Sequence, residues 1–488
     1  MIKRINLIHA LCMLGTVLFV FLYTGCVEKS TEIPITTKSE EARKVFIEGR
    51  EMSDHLRLDE AREYFDKAIE LDPDFAQAYL YRSSVSTSNE DLKIHLKKAV
   101  ALMDKVSEGE QLIIRQSQAY YLNNNLDEQF ELRKQLVQKY PKDKRALHIL
   151  GYAYSGRDED TKAIAQLEAA IALDKNYPPP YNQLGYAYRE IGEYAKAEQA
   201  FKDYIALIPK EPNPYDSMGD LYMKMGRFEE AIENYQKAVD LDPVFAVSQR
   251  KIGTSLILLD KYNEGREACL KAIEMEPTSM GKLNDRDMIV RSYLYEEDYL
   301  KALEATENML VAGVEADLPT WIPYAHLTKS KILFETGDLE AADQSLADYY
   351  QSMEDVEFTL STVDWFARTA LVKEARIAAK RQDFEAALAK AEKYKTLLEA
   401  RKDPNTVENY NGLMGMINFD MGDYGKAIEH FNLSNQESPY TLYYHGIAQS
   451  KTGNQERAQE LFIKAANWNE DSYNFAFIRT KALAAILE

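Results

Sequence analysis

Cysteine is nearly absent: 488 residues contain only Cys12, Cys26 and Cys269, two of them within the first 26 positions. No intramolecular disulfide framework is available beyond them, so a packed core must hold the fold. Basic charge is also in deficit, with 79 Asp and Glu against 59 Lys and Arg and a formal net charge of -20. Such a surface repels phosphate backbones, which argues against nucleic acid as a partner. Histidine is scarce, and His55, His95, His148, His326, His430 and His445 show no His-Glu-x-x-His or comparable metal spacing. Phosphate-cradling glycine loops are missing too, since Gly185 and Gly219 recur at a fixed interval instead of opening a helix after a strand. No catalytic constellation, metal site or cofactor site is legible. The expectation is a protein that is not an enzyme and carries no cofactor.

Against these absences stands a strong internal repeat. One copy reads Tyr181, Leu184, Gly185, Tyr188, Ala197, Phe201 and Pro209. The next reads Tyr215, Met218, Gly219, Tyr222, Ala231, Tyr235 and Pro243, each equivalent 34 residues further on. Glycine recurs at Gly151, Gly185, Gly219 and Gly253, tyrosine at Tyr154, Tyr188 and Tyr222, and alanine at Ala163, Ala197 and Ala231. Helical spacing within each copy predicts two helices, A and B. Small residues at their crossing let the backbones approach, while rings such as Tyr222 and Tyr235 fill the space between neighbouring pairs. Gly226 suits the left-handed residue that ends helix A, and Leu241-Asp242-Pro243 stops helix B. Cys269 takes the place of Phe201 in its copy, which reads as a buried inert thiol.

The period and pattern resemble the tetratricopeptide repeat. This resemblance implies an all-α fold, a right-handed α-solenoid of about twelve helix hairpins with a C-terminal capping helix. Ala42 to Pro73 is a clean first repeat, whereas Phe75 to Lys105 keeps helical spacing but lacks the glycine. Beyond Pro277 the repeats diverge and their connections lengthen, although Tyr299 with Ala302, Leu339 with Ala342 and Phe384 with Ala387 still mark the start of each helix B. The expected organisation is therefore a regular array over 41–277, a divergent array over 278–470 and a capping helix over 471–488.

The N-terminus has its own logic. Lys3 and Arg4 precede an apolar run from Ala10 to Tyr23, too short for a usual membrane span but suited to a signal-peptide core. With Thr24-Gly25-Cys26 it resembles a bacterial lipoprotein signal, in which the cysteine is lipidated and becomes the mature N-terminus. That resemblance implies a signal over 1–25, lipidation of Cys26 and a membrane contact through the lipid anchor. The polar residues of 26–40 then read as a flexible tether.

Function is expected on the inner face of helix A, where the repeat family exposes groove residues between its packing positions. The resemblance places Gln118, Tyr121, His148, Tyr152, Asn182, Tyr186, Arg189, Asp216 and Asp220 there. Rings offer contact area at low entropy cost, and amides and carboxylates fix register, so the mixture suits an extended peptide or a helix. The implied protein is a scaffold lipoprotein of the bacterial cell envelope, in the outer membrane facing the periplasm, with a protein or peptide in its concave groove. Two other readings stay open, a nutrient- or peptide-binding lipoprotein associated with an outer-membrane transporter and a regulatory or signalling repeat protein.

Overall fold

A glycine on one helix facing a ring on the next brings consecutive helices into pairs. The computed structural model describes residues 32–354, 360–400 and 405–487, and these form 25 α-helices, the first 24 of them in consecutive hairpins. The expected leader 1–25, Cys26 and the first residues of the tether lie outside the described residues. Among the described residues no helix is long and apolar enough to cross a membrane.

The helices divide into two compact units, one ending at Ile208 and one beginning at Pro209. In the first unit α1 (Glu40–Asp54) pairs with α2 (Leu58–Leu71), α3 (Ala76–Ser84) with α4 (Asn89–Ala101), and α5 (Glu108–Tyr121) with α6 (Leu126–Lys139). There follow α7 (Lys144–Ser155) with α8 (Asp160–Leu173), and α9 (Pro179–Glu190) with α10 (Tyr194–Leu207). The second unit holds α11 (Asn213–Lys224) with α12 (Phe228–Leu241), α13 (Ala246–Leu258) with α14 (Tyr262–Met275), and α15 (Ser279–Tyr295) with α16 (Tyr299–Glu315). It continues through α17 (Trp321–Thr336) with α18 (Leu339–Glu354), α19 (Leu360–Lys380) with α20 (Phe384–Ala400), and α21 (Thr406–Asp420) with α22 (Tyr424–Asn432). The last pair is α23 (Pro439–Lys451) with α24 (Gln455–Ala466), and α25 (Tyr473–Leu487) closes the order.

Each crossing is set by contact distance. A Cβ on Gly185 would lie 2.5 Å from the Phe201 ring, and one on Gly415 would lie 2.5 Å from Phe431. Helix A thus gives up its side chain to receive a ring of helix B. The stretch that lacks glycine obeys the same rule in another way. Ser83 and Ser117 occupy the glycine position in α3 and α5; buried Ser83 donates its hydroxyl to Leu80 O at 2.6 Å, and Ser117 donates to Ile113 O at 3.3 Å. A small side chain folded onto its own helix takes little room at the crossing.

The A-to-B turn repeats its left-handed residue whatever side chain stands there. Gly192 and Gly226 have φ of 77° and 73°, and Leu56, Asn124, Asp158 and Asp260 adopt 62°, 49°, 59° and 61°. For Leu56 this is a strained conformation that the surrounding hairpin enforces. At the end of helix B, Asp72, Asp174 and Asp242 accept the backbone N–H two residues on, at 3.1, 2.9 and 3.1 Å. The carboxylate therefore shapes the stop along with the proline that follows Asp72 and Asp242.

Two features tie distant hairpins within a unit. In the first, residues 32–39 run extended ahead of α1 and are bound along their length, as described below. In the second, α25 packs on α23 and α24 and also on α15. Arg479 reaches back to donate to Asp260 Oδ1 (2.7 Å) and Leu258 O (2.8 Å). The final helix covers the last hairpin and at the same time joins it to hairpins near the start of its unit.

Candidate functional site

Helices α5, α7 and α9 carry the expected groove residues of the first unit. Tyr121 and Tyr152 project from adjacent A helices and stay 44% and 55% exposed. Tyr120 meets Tyr121 edge-on with ring centroids 4.6 Å apart. Arg133 of α6 donates to Gln116 Oε1 at 3.0 Å and interacts electrostatically with the hydroxyls of Tyr120, Tyr121 and Tyr152. Burial holds that guanidinium below its ordinary value, and burial raises Tyr121. Gln118 is half-buried beside them.

The remaining residues of the first unit's set are more enclosed than Tyr121 and Tyr152. His148 packs edge-on against Tyr177 with centroids 5.7 Å apart, and its Nδ1 lies 3.4 Å from the Tyr177 hydroxyl. Burial, with Arg145 and Arg133 nearby, pushes His148 down to about 3 and keeps it neutral at ordinary pH. Tyr186 packs edge-on against Phe201 at 5.2 Å, and Arg189 stacks 4.9 Å over Tyr186 while pairing with Glu190. Asn182 buries its side-chain oxygen without a hydrogen-bond partner among the described residues.

In the second unit Asp216 and Asp220 belong to a closed ionic cluster. Asp216 is 5% exposed and accepts from Ser248 Oγ at 2.6 Å and Lys251 Nζ at 2.7 Å. The same ammonium lies 2.7 Å from Asp220, which also accepts the Tyr235 hydroxyl at 2.7 Å. Burial raises the Asp216 carboxyl, with Lys251 opposing it. These side chains join α11 to α13, so their groups are already engaged across the stack.

A further set was not visible in the repeat pattern. Residues 33–38 cross the edge of the first unit as an extended strip. Asp143, the N-cap of α7, accepts Ile33 N (2.9 Å), and Gln77 of α3 donates to Pro34 O (2.7 Å). Fully buried Glu110 of α5 accepts Thr36 N at 2.8 Å, Thr36 Oγ1 at 2.6 Å, Gln77 Nε2 at 2.9 Å and Ser107 N at 2.9 Å. Asp72 takes Thr37 Oγ1 at 2.5 Å and Lys38 N at 3.0 Å. Four hairpins thus present side chains to one extended segment. Arg145 adds a forked pair with Asp54 at the end of α1, one arm at 2.6 Å. Only the Ser107-x-x-Glu110 capping box could have been read from sequence.

Among the described residues no cluster of His, Cys, Asp and Glu could hold a metal ion. Cys269 is fully buried, and burial pushes its thiol up to about 12, so it lacks the thiolate that nucleophilic chemistry needs.

Comparison with known proteins adds to this geometry. Residues 219–256 match a model described as TPR repeat, and residues 167–199 and 57–75 match models described as Tetratricopeptide repeat. No curated protein matches the chain. Similar solved structures include MamA of Desulfovibrio magneticus RS-1, at 20% identity over 34% of this chain and 94% of that one, with a TM-score of 0.31. A tetratricopeptide repeat protein of Parabacteroides merdae ATCC 43184 is similar at 14% identity over 54% of this chain and 98% of that one, with a TM-score of 0.39. A thermophilic TPR protein of Thermus thermophilus is similar at 21% identity over 44% and 99%, with a TM-score of 0.29. The matched models fall on helices of both units, and the chain carries tetratricopeptide repeats.

Proposed function

We propose that the chain is a non-catalytic scaffold that binds a protein or peptide on the A-helix face of its first unit. The observation that carries this reading is the exposed pair Tyr121 and Tyr152, with Arg133 beside them. Rigid rings next to a guanidinium are the residue types that dominate binding energy at interfaces. The strip at residues 33–38 supplies a physical precedent, because this unit already holds an extended segment through side-chain contacts to its backbone.

Replacing Tyr121 and Tyr152 together with alanine tests the face. Recovery of a partner crosslinked to the wild-type chain is expected to fall about tenfold or more, with the thermal midpoint little changed because each ring is partly open to solvent. Undiminished recovery would remove these residues from the interface.

The reading extends to the bacterial cell envelope, with a lipid on Cys26 anchoring the scaffold in the outer membrane facing the periplasm. Its support is the run from Lys3 to Cys26 in the sequence. Cys26→Ser is expected to move the chain out of the membrane fraction and to change its electrophoretic mobility. Unchanged partition and mobility would overturn lipidation.

A further inference from the structure

Helices α17, α19, α20, α21 and α23, with Asn474 of α25, line a cavity of about 450 Å³ in the second unit. That volume suits a small molecule. Its lining includes four cationic side chains, Lys331, Arg368, Lys373 and Arg376, against one carboxylate, Glu335. This excess of positive charge lies inside a protein whose net charge is -20.

The cations differ in how far the protein satisfies them. Arg368 pairs with Asp364 at 3.1 Å, and Lys331 donates to Asn474 Oδ1 at 2.6 Å. Arg376 is only 8% exposed and sits 5.1 Å from the Phe334 ring centroid. Its Nε lies 3.6 Å from Asp420, which also pairs with Lys380 at 2.7 Å, and its Nε and Nη2 have no hydrogen-bond partner among the described residues. Lys373 is half-buried, with no ion pair or hydrogen bond among the described residues. Glu335, which also accepts the Tyr440 hydroxyl at 2.6 Å, brings a single negative charge against them.

Burying like charges side by side is unfavourable unless something neutralises them. Burial pushes Lys331 down to about 8 and Lys373 down to about 7, with the neighbouring Lys331 adding to the latter. The groups acting on this pair are Glu335 on α17 and Arg376 on α19. Packing alone gains nothing from a lysine in that position. An anion gains two ammonium groups and a guanidinium with an unused donor.

We propose that this cavity binds a small organic dianion, a phosphomonoester or a dicarboxylate, with its head group among Lys331, Lys373 and Arg376 and its carbon body along Trp365, Leu413 and Met416. This site goes beyond the scaffold reading and stands whether or not the first unit holds a partner.

Calorimetry on the purified chain at pH 8, in two buffers of different ionisation enthalpy, tests it with phenyl phosphate and phthalate as probes. Both are dianions at that pH. The expected result is saturable binding of at least one probe with net uptake of about one proton, because the anion returns both lysines to their charged forms. Which probe binds separates the phosphate source from the carboxylate source. Lys373→Gln is expected to weaken that binding at least tenfold and to reduce the proton uptake. Should that variant fail to fold, Lys331→Gln carries the same expectation. The proposal is overturned if neither probe binds at about 10 mM, a concentration that would reveal even millimolar affinity. Binding without proton uptake, or with affinity unchanged in a folded lysine variant, also overturns it.

Discussion

Replacing Arg291 with alanine is expected to destabilise the second unit by about 3–5 kcal/mol, the usual penalty for removing one partner of a buried ion cluster. Arg291 stands on α15 with its side chain 18% exposed, 2.6 Å from Asp471 and 3.1 Å from Asp287. Asp287 accepts the hydroxyls of Tyr473 (2.5 Å) and Tyr324 (3.3 Å), and Asp471 accepts that of Tyr295 (3.1 Å). The cluster therefore joins α15 and α17 to the start of α25. Without the guanidinium, the two buried carboxylates lose their ion-pair partner and keep the hydroxyl donors, with Arg250 acting on Asp471 as well. Burial already raises Asp471 while Arg291 opposes the shift, so the variant should raise it further.

The sign of the pH dependence follows. A carboxyl whose folded pKa is raised binds more protons folded than unfolded, so its contribution favours folding at low pH and is lost as pH rises through the folded pKa. The penalty of Arg291→Ala, measured by urea denaturation, should thus be largest near pH 7 and shrink toward pH 4. A penalty independent of pH would mean that lost packing, and not stranded charge, accounts for it. Arg291→Met, which restores much of the volume, separates the two further.

The fold was legible because its main constraint is local and periodic. Gly185 and Gly219 face rings a fixed distance further along the chain, and that distance repeats. Legibility failed where another side chain met the same constraint. Ser83 and Ser117 satisfy the crossing by folding onto their own helices, and Leu56 and Asp260 adopt the turn that Gly192 and Gly226 announce. The candidate face was legible in part. Tyr121 and Tyr152 are exposed, whereas the resemblance that marked Asp216 and Asp220 could not show that Lys251 stands between them. Nothing periodic marks the strip at residues 33–38 or the cavity around Lys373, since both bring together side chains from hairpins far apart in sequence. A polar composition also says little about whether a segment finds partners, as the bonds to Thr36 and Thr37 show.

Not every glycine of the column does the same thing, and Gly253→Ala should expose the difference. A Cβ on Gly219 would run into the Tyr235 ring, a side chain that can tilt. A Cβ on Gly253 would meet Cys269 Sγ at 2.6 Å and the backbone oxygen of Gly265 at 2.8 Å. One on Gly265 would in turn lie 2.9 Å from the Gly253 oxygen. Here α13 and α14 touch backbone to backbone, and a methyl can enter only by separating the helix axes. Alanine normally gains about 0.5–1 kcal/mol over glycine in a helix interior. Overpacking at this crossing should outweigh that and leave a net loss of about 1–3 kcal/mol. Gly412 in α21 provides the opposite case, since its Cβ would lie 3.8 Å from the nearest atom, Ser434 Cβ. Gly412→Ala should therefore stabilise the same unit by about 0.5–1 kcal/mol. If denaturation gave both substitutions the same sign, close approach of the backbones would not be what requires glycine at Gly253, and the small-residue column would need another cause.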